Sequence, residues 1–258
     1  MIERKPIVLK PSATPGSKVI LDNSSVWRLQ IPAGPPGAYR LAQLDDYTTL
    51  DRAEFPWQVP CRLSIEARAS SSAVIPGTWG FGLWNDPFSL SLGMGGGVRR
   101  FPALPNAAWF FFASPPNYLS FQDDLPAQGN LAMTFRSPRW PAIILAAAVP
   151  LLPLVAIPAF ARLMRRAARR IIQQDSVDFH INLAEWHCYR IDWLPGGASF
   201  FIDDACVLET VISALGRLGL VIWIDNQYAA LPPDGRLRYG TLENPESMWI
   251  EVRDIQYR

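Results

Sequence analysis

Three aspartates stand beside aromatic and amide residues that can hold a ring-shaped ligand: Asp86 in GTWGFGLWNDPF, Asp192 in CYRIDWL and Asp225 in VIWIDNQY. An isolated carboxylate in a cleft can act as proton donor or base. Trp84, Asn85 and Asp86 put an indole for stacking next to two groups for hydrogen bonding. Strand alternation sets Gly80, Gly82 and Trp84 on one face, where the glycines leave room for a ligand or a close backbone. Core packing with a tight turn at Asn85-Asp86-Pro87 is the structural alternative. Trp223, Asn226 and Tyr228 form a second group around Asp225, although Asp225 and Asn226 equally suit a turn cap. Arg190 and Asp192 share a face with Trp186, as a polar cleft floor or as a solvated outer surface. Trp109 and Tyr118, from NAAWFFFASPPNYLSF, complete the ligand-binding candidates.

Other chemistries find little support. Cys61, Cys188 and Cys206 are an odd count without tight spacing, which argues against a disulfide framework or a zinc site. His180 and His187 are seven apart in strand-like sequence and fall on opposite faces, so no shared metal is expected. SLGMGGGVRRF lacks the Gly-Lys-Ser/Thr ending and the following helix of a phosphate loop. No Ser-His-Asp set or nucleophile elbow is visible. No metal or cofactor is predicted. A net charge of +1 gives no global attraction to nucleic acid.

The elements that would position these residues are mostly strands. The chain has 258 residues, 49% of them hydrophobic and 18% charged, with 24 prolines and 17 glycines punctuating runs of aromatic and β-branched residues. The pattern predicts strands over 18–22, 27–32, 61–69, 77–85, 107–114, 131–137, 179–194, 198–209, 218–228 and 248–258. In CRLSIEARA, Leu63, Ile65 and Ala67 alternate with Arg62, Ser64, Glu66 and Arg68. Many short strands without a βαβ rhythm predict an all-β sandwich or jelly roll.

The run DFHINLAEWHCYRIDWLPGGASFFIDDACV resembles the concanavalin A-like lectins and glucanases, notably family 16 glycoside hydrolases. Trp186, Tyr189, Ile191 and Trp193 match that family's W-x-x-Y-x-I-x-W strand, Pro195-Gly196-Gly197 its turn, and Phe201-Ile202-Asp203-Asp204 the strand after it. MWIEVRDIQYR is similar to its final strand. The resemblance covers the last 80 residues or so and implies a concanavalin A-like jelly roll of two antiparallel sheets. It also implies a catalytic Glu-x-Asp-x-Glu-like strand whose carboxylates alternate into the cleft. The strand at that place, 106–121, contains no acid, and Asp123 and Asp124 follow in a turn. Standard glycosidase chemistry is therefore not expected.

One segment does not read as β. From Trp140 to Ala161 there are 22 residues without charge, then Arg162, Arg165, Arg166, Arg169 and Arg170 within nine positions. About twenty apolar residues can cross a bilayer. A single crossing would separate strands of one sandwich, however, and Pro141, Pro150, Pro153 and Pro158 break the run. A bend at Pro150-Leu151-Leu152-Pro153 predicts a dip into the membrane and a return. Beyond it, Phe160, Leu163 and Met164 begin an apolar helical stripe opposite the arginines, the pattern of an amphipathic helix lying at an interface. Trp140, Leu151, Leu152, Phe160, Leu163, Met164 and the five arginines are the expected membrane contacts. Packing of this helix on the sandwich, or oligomerisation through the insert, would also hide apolar surface.

The predicted organisation is a first part of the sandwich over 1–138, the helical insert 139–174, and a second part over 175–258. MIERKPIVLKPS has no apolar signal region, so the expected place is the cytoplasm, peripheral on the inner face of the membrane. The leading expectation is a membrane-associated jelly roll binding an apolar, glycolipid-like or polyisoprenoid ligand in its concave cleft. The alternatives are a membrane-associated enzyme (glycoside hydrolase-like, or an acid/base isomerase, cyclase or lyase) and a structural protein assembled through the insert.

Overall fold

The computed structural model describes residues 8–71, 74–87 and 100–258. The glycine-rich stretch 91–99 therefore lies outside the described residues. The strands are β1 (Lys10–Ala13), β2 (Lys18–Leu21), β3 (Trp27–Ile31), β4 (Leu41–Asp45), β5 (Cys61–Ala69), β6 (Thr78–Trp84), β7 (Ala107–Ala113) and β8 (Gly129–Arg136). After helices α1 (Ala142–Ala148) and α2 (Pro158–Ile171) come β9 (Gln173–Asp178), β10 (His187–Leu194), β11 (Gly197–Ile202) and β12 (Ala205–Thr210). The chain ends with β13 (Gly219–Asp225), β14 (Gln227–Ala230), β15 (Arg238–Thr241) and β16 (Met248–Tyr257).

Two seven-stranded antiparallel sheets form a jelly-roll sandwich. The first runs β1-β4-β13-β6-β7-β8-β9, and the second β12-β11-β10-β5-β16-β3-β2. Each contains strands from before and after the helical segment. β14 and β15 form a separate two-stranded ribbon.

Alternation decides what each strand buries. In β5, Leu63, Ile65 and Ala67 are buried while Arg62 is exposed. In β7, Ala108, Phe110 and Phe112 enter the core between the sheets. Phe110 lies there among Phe81, Phe179, Tyr189 and Phe200, at ring-centroid distances of 5.8, 5.9, 5.0 and 5.5 Å. Trp79 stacks flat on Phe112 at 3.5 Å. Such buried rings account for much of the apolar area that drives folding.

Several predicted boundaries move. The strand expected over 179–194 starts only at His187, because Asn182 and Glu185 close a turn before it. β1, β4, β9 and β15 had no sequence counterpart; they are only four to six residues long.

The helical segment is a long excursion inside a hairpin. Arg136 of β8 pairs with Gln173 of β9, so residues 137–172 leave and re-enter the sheet at one point. α1 passes into a 3-10 stretch, Val149–Ala156, with Pro153 inside it, and α2 begins with Pro158 at its first turn. The prolines break the apolar run as expected, and no described helix is long and apolar enough to cross a membrane.

Gly82 shows how closely the first sheet is packed. Its φ is +153°, and an added Cβ would lie 2.5 Å from the Ala108 carbonyl oxygen and from Trp109 Cα and Cβ. Gly82→Ala should lower stability by about 3 kcal/mol through backbone strain and overpacking. Chemical denaturation would measure it; an unchanged midpoint would mean that β7 yields freely at this position.

Candidate functional site

The face of the first sheet turned away from the core carries the candidate site. Alternation brings Trp84 from β6, Trp109 and Phe111 from β7, Met133 and Phe135 from β8, and Val221 and Trp223 from β13 to this face. The rings touch in a continuous cluster: Trp84–Trp109 at 5.7 Å, Trp109–Phe111 at 5.2 Å, Trp109–Trp223 at 5.7 Å and Phe111–Trp223 at 5.4 Å. Gly80 and Gly82 are what allow it. Trp223 lies across Gly80, and a Cβ there would stand 2.9 Å from the indole. The room that the glycines leave is taken by tryptophan rings.

The cluster is well covered. Tyr47, Leu50 and Phe55 close one side, and Leu119, Phe121, Ala168 and Ile172 the other. Trp109 is only 6% exposed, yet its indole N–H has no hydrogen-bond partner among the described residues. A buried donor left unpaired costs roughly 1–3 kcal/mol, so this N–H is an available anchor for an acceptor. The Trp223 N–H, in contrast, donates to Thr78 Oγ1 at 3.0 Å.

The three candidate acids do not converge. Asp225, at the end of β13, accepts from the Thr78 hydroxyl at 2.9 Å, the Gln227 N–H at 3.1 Å and the Tyr39 hydroxyl at 3.4 Å. Burial nevertheless pushes its carboxyl up to about 7, and burial together with this carboxylate raises the Tyr39 hydroxyl. Asp86 stands at the other end of β6, where it accepts from Arg100 at 2.5 Å. Because Thr78 opposes Asp225 and β6 runs from Thr78 to Trp84, the two acids are separated by about 20 Å of strand. A glycosidic acid/base pair needs roughly 5–9.5 Å.

Asp192 belongs to neither group. It lies on the outer surface of the second sheet in a two-pronged pair with Arg62, at 2.5 and 2.7 Å, while its neighbours Ile191 and Trp193 are buried. Arg190 lies on that same outer surface, above the Phe201 ring at 3.9 Å and bonded to Asp204 at 2.9 Å. These two positions, open in the sequence, therefore face away from the core on the second sheet and are half-buried, with Arg190 and Arg62 lining a shallow cavity of about 190 Å³.

The other candidates have defined partners in the fold. Asn85 bridges the Leu104 carbonyl and the Asn106 N–H. Asn226 accepts from the Arg40 N–H and donates to the Ala38 and Leu242 carbonyls, tying three segments together. Tyr228 sits in β14 opposite Gly240. Tyr118 lies under the Arg165 guanidinium at 5.2 Å. His187 is held between Asp203 and the Asn182 carbonyl. Among the described residues no three His, Cys, Asp or Glu side chains gather as a metal site.

One expected membrane contact, Arg165, is corrected. Arg165 is buried and donates to the Ser120 and Leu231 carbonyls at 2.6 and 2.9 Å and to Asp123 at 2.7 Å. Arg169 also pairs with Asp123 and so holds the turn that carries it. Both arginines clamp α2 to the sandwich, because α2 docks on the seam between its apolar and basic faces. Phe160 is half-buried, while Trp140, Leu151, Leu152, Leu163 and Met164 are exposed.

Sequence reasoning missed Phe111, Met133 and Phe135 as members of the aromatic face, and Tyr39 and Thr78 as partners of Asp225. The first set was within reach: the same alternation that assigns Trp109 outward assigns Phe111 outward too. The second set joins residues 39, 78 and 225, which no spacing in the chain reveals.

No protein-family model matches the sequence, and no curated protein does. Among solved structures, the chain is similar to a glycosyl hydrolase family 16 protein from Mycobacterium smegmatis, with 10% identity, a TM-score of 0.47 and coverage of 96% and 93% of the two chains. It is also similar to a β-1,3-glucanase from Mycobacterium marinum, with 10% identity, a TM-score of 0.45 and coverage of 96% and 91%. A third similar structure is a pseudo β-1,3-glucanase of Mycobacterium tuberculosis, with 13% identity, a TM-score of 0.42 and coverage of 91% and 77%. The architecture itself is two stacked antiparallel sheets of seven strands in jelly-roll order.

Proposed function

We propose that this protein is a non-hydrolytic binding jelly roll that works at a membrane surface. Its ligand is apolar, glycolipid-like or polyisoprenoid, and reaches the aromatic outer face of the first sheet by displacing the half-buried Leu50, Leu119 and Phe121 that cover it. The supporting observation is that β7 presents Ala107, Trp109, Phe111 and Ala113 to that face, with no carboxylate among them. Clustered indoles suit apolar chains and sugar rings, and the Trp109 N–H, unpaired among the described residues, suits a hydroxyl or phosphate oxygen. Attachment to the cytoplasmic leaflet is part of this reading. The three free thiols accord with a reducing compartment.

Mass spectrometry of an organic extract of the purified protein tests the ligand, with a stoichiometric amphiphile expected. Laminarin and lichenan should release no reducing sugar. Sugar release that disappears on Asp225→Asn would overturn the non-hydrolytic reading in favour of an enzyme. The specific observation behind that second reading is the buried Asp225 carboxyl raised to about 7, a range in which an acid can donate or accept a proton.

A further inference from the structure

We infer that the excursion 140–171 is a docking surface for a bilayer carrying anionic headgroups. This inference deepens the membrane part of the reading above and rests on it. The surface is apolar where it meets solvent: Trp140, Ile143, Ile144, Leu151, Leu152 and Leu163 are each more than two-fifths exposed, Ile143 by 77%. Other exposed apolar side chains, such as Val211 and Phe101, are scattered over the sandwich, whereas these six fall within one 24-residue stretch of the chain, the mark of an interaction surface.

The helix cannot simply turn this surface inward. Ala161, Arg165, Ala168 and Ile172, spaced four, three and four apart, form the stripe that meets the sandwich. Arg165 and Arg169 hold Asp123, and Arg162 donates to the Asp234 carbonyl at 3.1 Å. Leu163, Arg166 and Arg170, three and four apart, make the opposite stripe, and all three are exposed. An apolar residue therefore points outward with two cations beside it.

Charge selects the occupant. From Leu125 to Gln174 there is no Asp or Glu, while Arg136, Arg139, Arg162, Arg165, Arg166, Arg169 and Arg170 all fall within that span. A second copy of the chain would bring arginines against arginines. A bilayer rich in anionic lipid supplies both the apolar layer for the ridge and the phosphates for Arg166 and Arg170.

Flotation with vesicles tests this, using phosphatidylcholine alone or with one-third phosphatidylglycerol. The protein should float with the anionic vesicles, and moderate salt should weaken this. Arg166→Glu with Arg170→Glu should reduce binding roughly thirtyfold or more, from about 1 kcal/mol per charge. Leu151→Asp with Leu152→Asp should abolish it at every salt concentration, with circular dichroism confirming an intact sandwich. Equal binding to neutral vesicles overturns the anionic assignment. Failure to float, with sedimentation as a defined oligomer that Leu151→Asp dissociates, overturns the membrane and assigns the surface to a second copy. The extracted ligand reports separately: membrane binding without a ligand would sink the aromatic-face reading and leave this docking surface standing.

Discussion

Replacing Asp225 by asparagine should raise the melting temperature at pH 8 and flatten its pH dependence between pH 5 and 8. Asp225 is 7% exposed, and burial lifts its carboxyl to about 7 against an unfolded value near ~3.9. Between those two values the native state holds a proton that the unfolded chain has released. Stability therefore falls as pH rises from about 4 to about 7, and levels off once both states are ionised. Three units correspond to about 4 kcal/mol, an order-of-magnitude figure. Asp46 acts in the same direction: burial lifts it to about 6 although it accepts from the Trp57 indole at 2.6 Å and the Leu220 N–H at 2.8 Å. Asparagine at 225 can still accept from Thr78 and Gln227, and it carries no charge to desolvate. Thermal melts of both proteins across this range decide the matter. Parallel curves would show that the ionised carboxylate sits there without penalty.

The strands legible in the sequence were those with a buried face of their own. β5 alternates plainly and β7 is apolar throughout, and the bounds of both needed little correction. The edge strands β1 and β9 bury little: KPSA and QQDSVD carry mostly polar side chains and exist because a neighbour offers backbone partners. No local pattern encodes that. The insert was legible as apolar and basic, but its docking was not. Periodicity assigned all five arginines to one free face. The structure spends two of them on Asp123, whose partner lies more than forty residues away in the chain.

The same limit applied to the site. Alternation pointed to Trp84 beside Gly80 and Gly82 but not to Phe111, Met133 and Phe135, and the sheet surface of Arg190 and Asp192 followed only from knowing which neighbours are buried. Tyr189 and Ile191 answer that question, because both enter the core. A strand with tryptophan or tyrosine at both alternations leaves its orientation open until its partner strands are known.

Adjacent residues of β7 should respond in opposite ways to mutation. Phe110→Ala should cost about 4 kcal/mol, because a fully buried ring touching four others leaves a cavity that two hydrogen-bonded sheets cannot close. Trp109→Phe, one residue along and on the opposite face, should change stability by less than about 1.5 kcal/mol. It loses apolar area but also removes a buried N–H that has no partner among the described residues. Its effect should appear in binding instead: the amphiphile extracted from the wild type should be depleted from Trp109→Phe while circular dichroism stays the same. Urea denaturation and extraction of the two variants measure both halves. If Trp109→Phe were as costly to stability as Phe110→Ala and kept its ligand, the aromatic face would be a second core and the ligand would have to be sought elsewhere on the molecule.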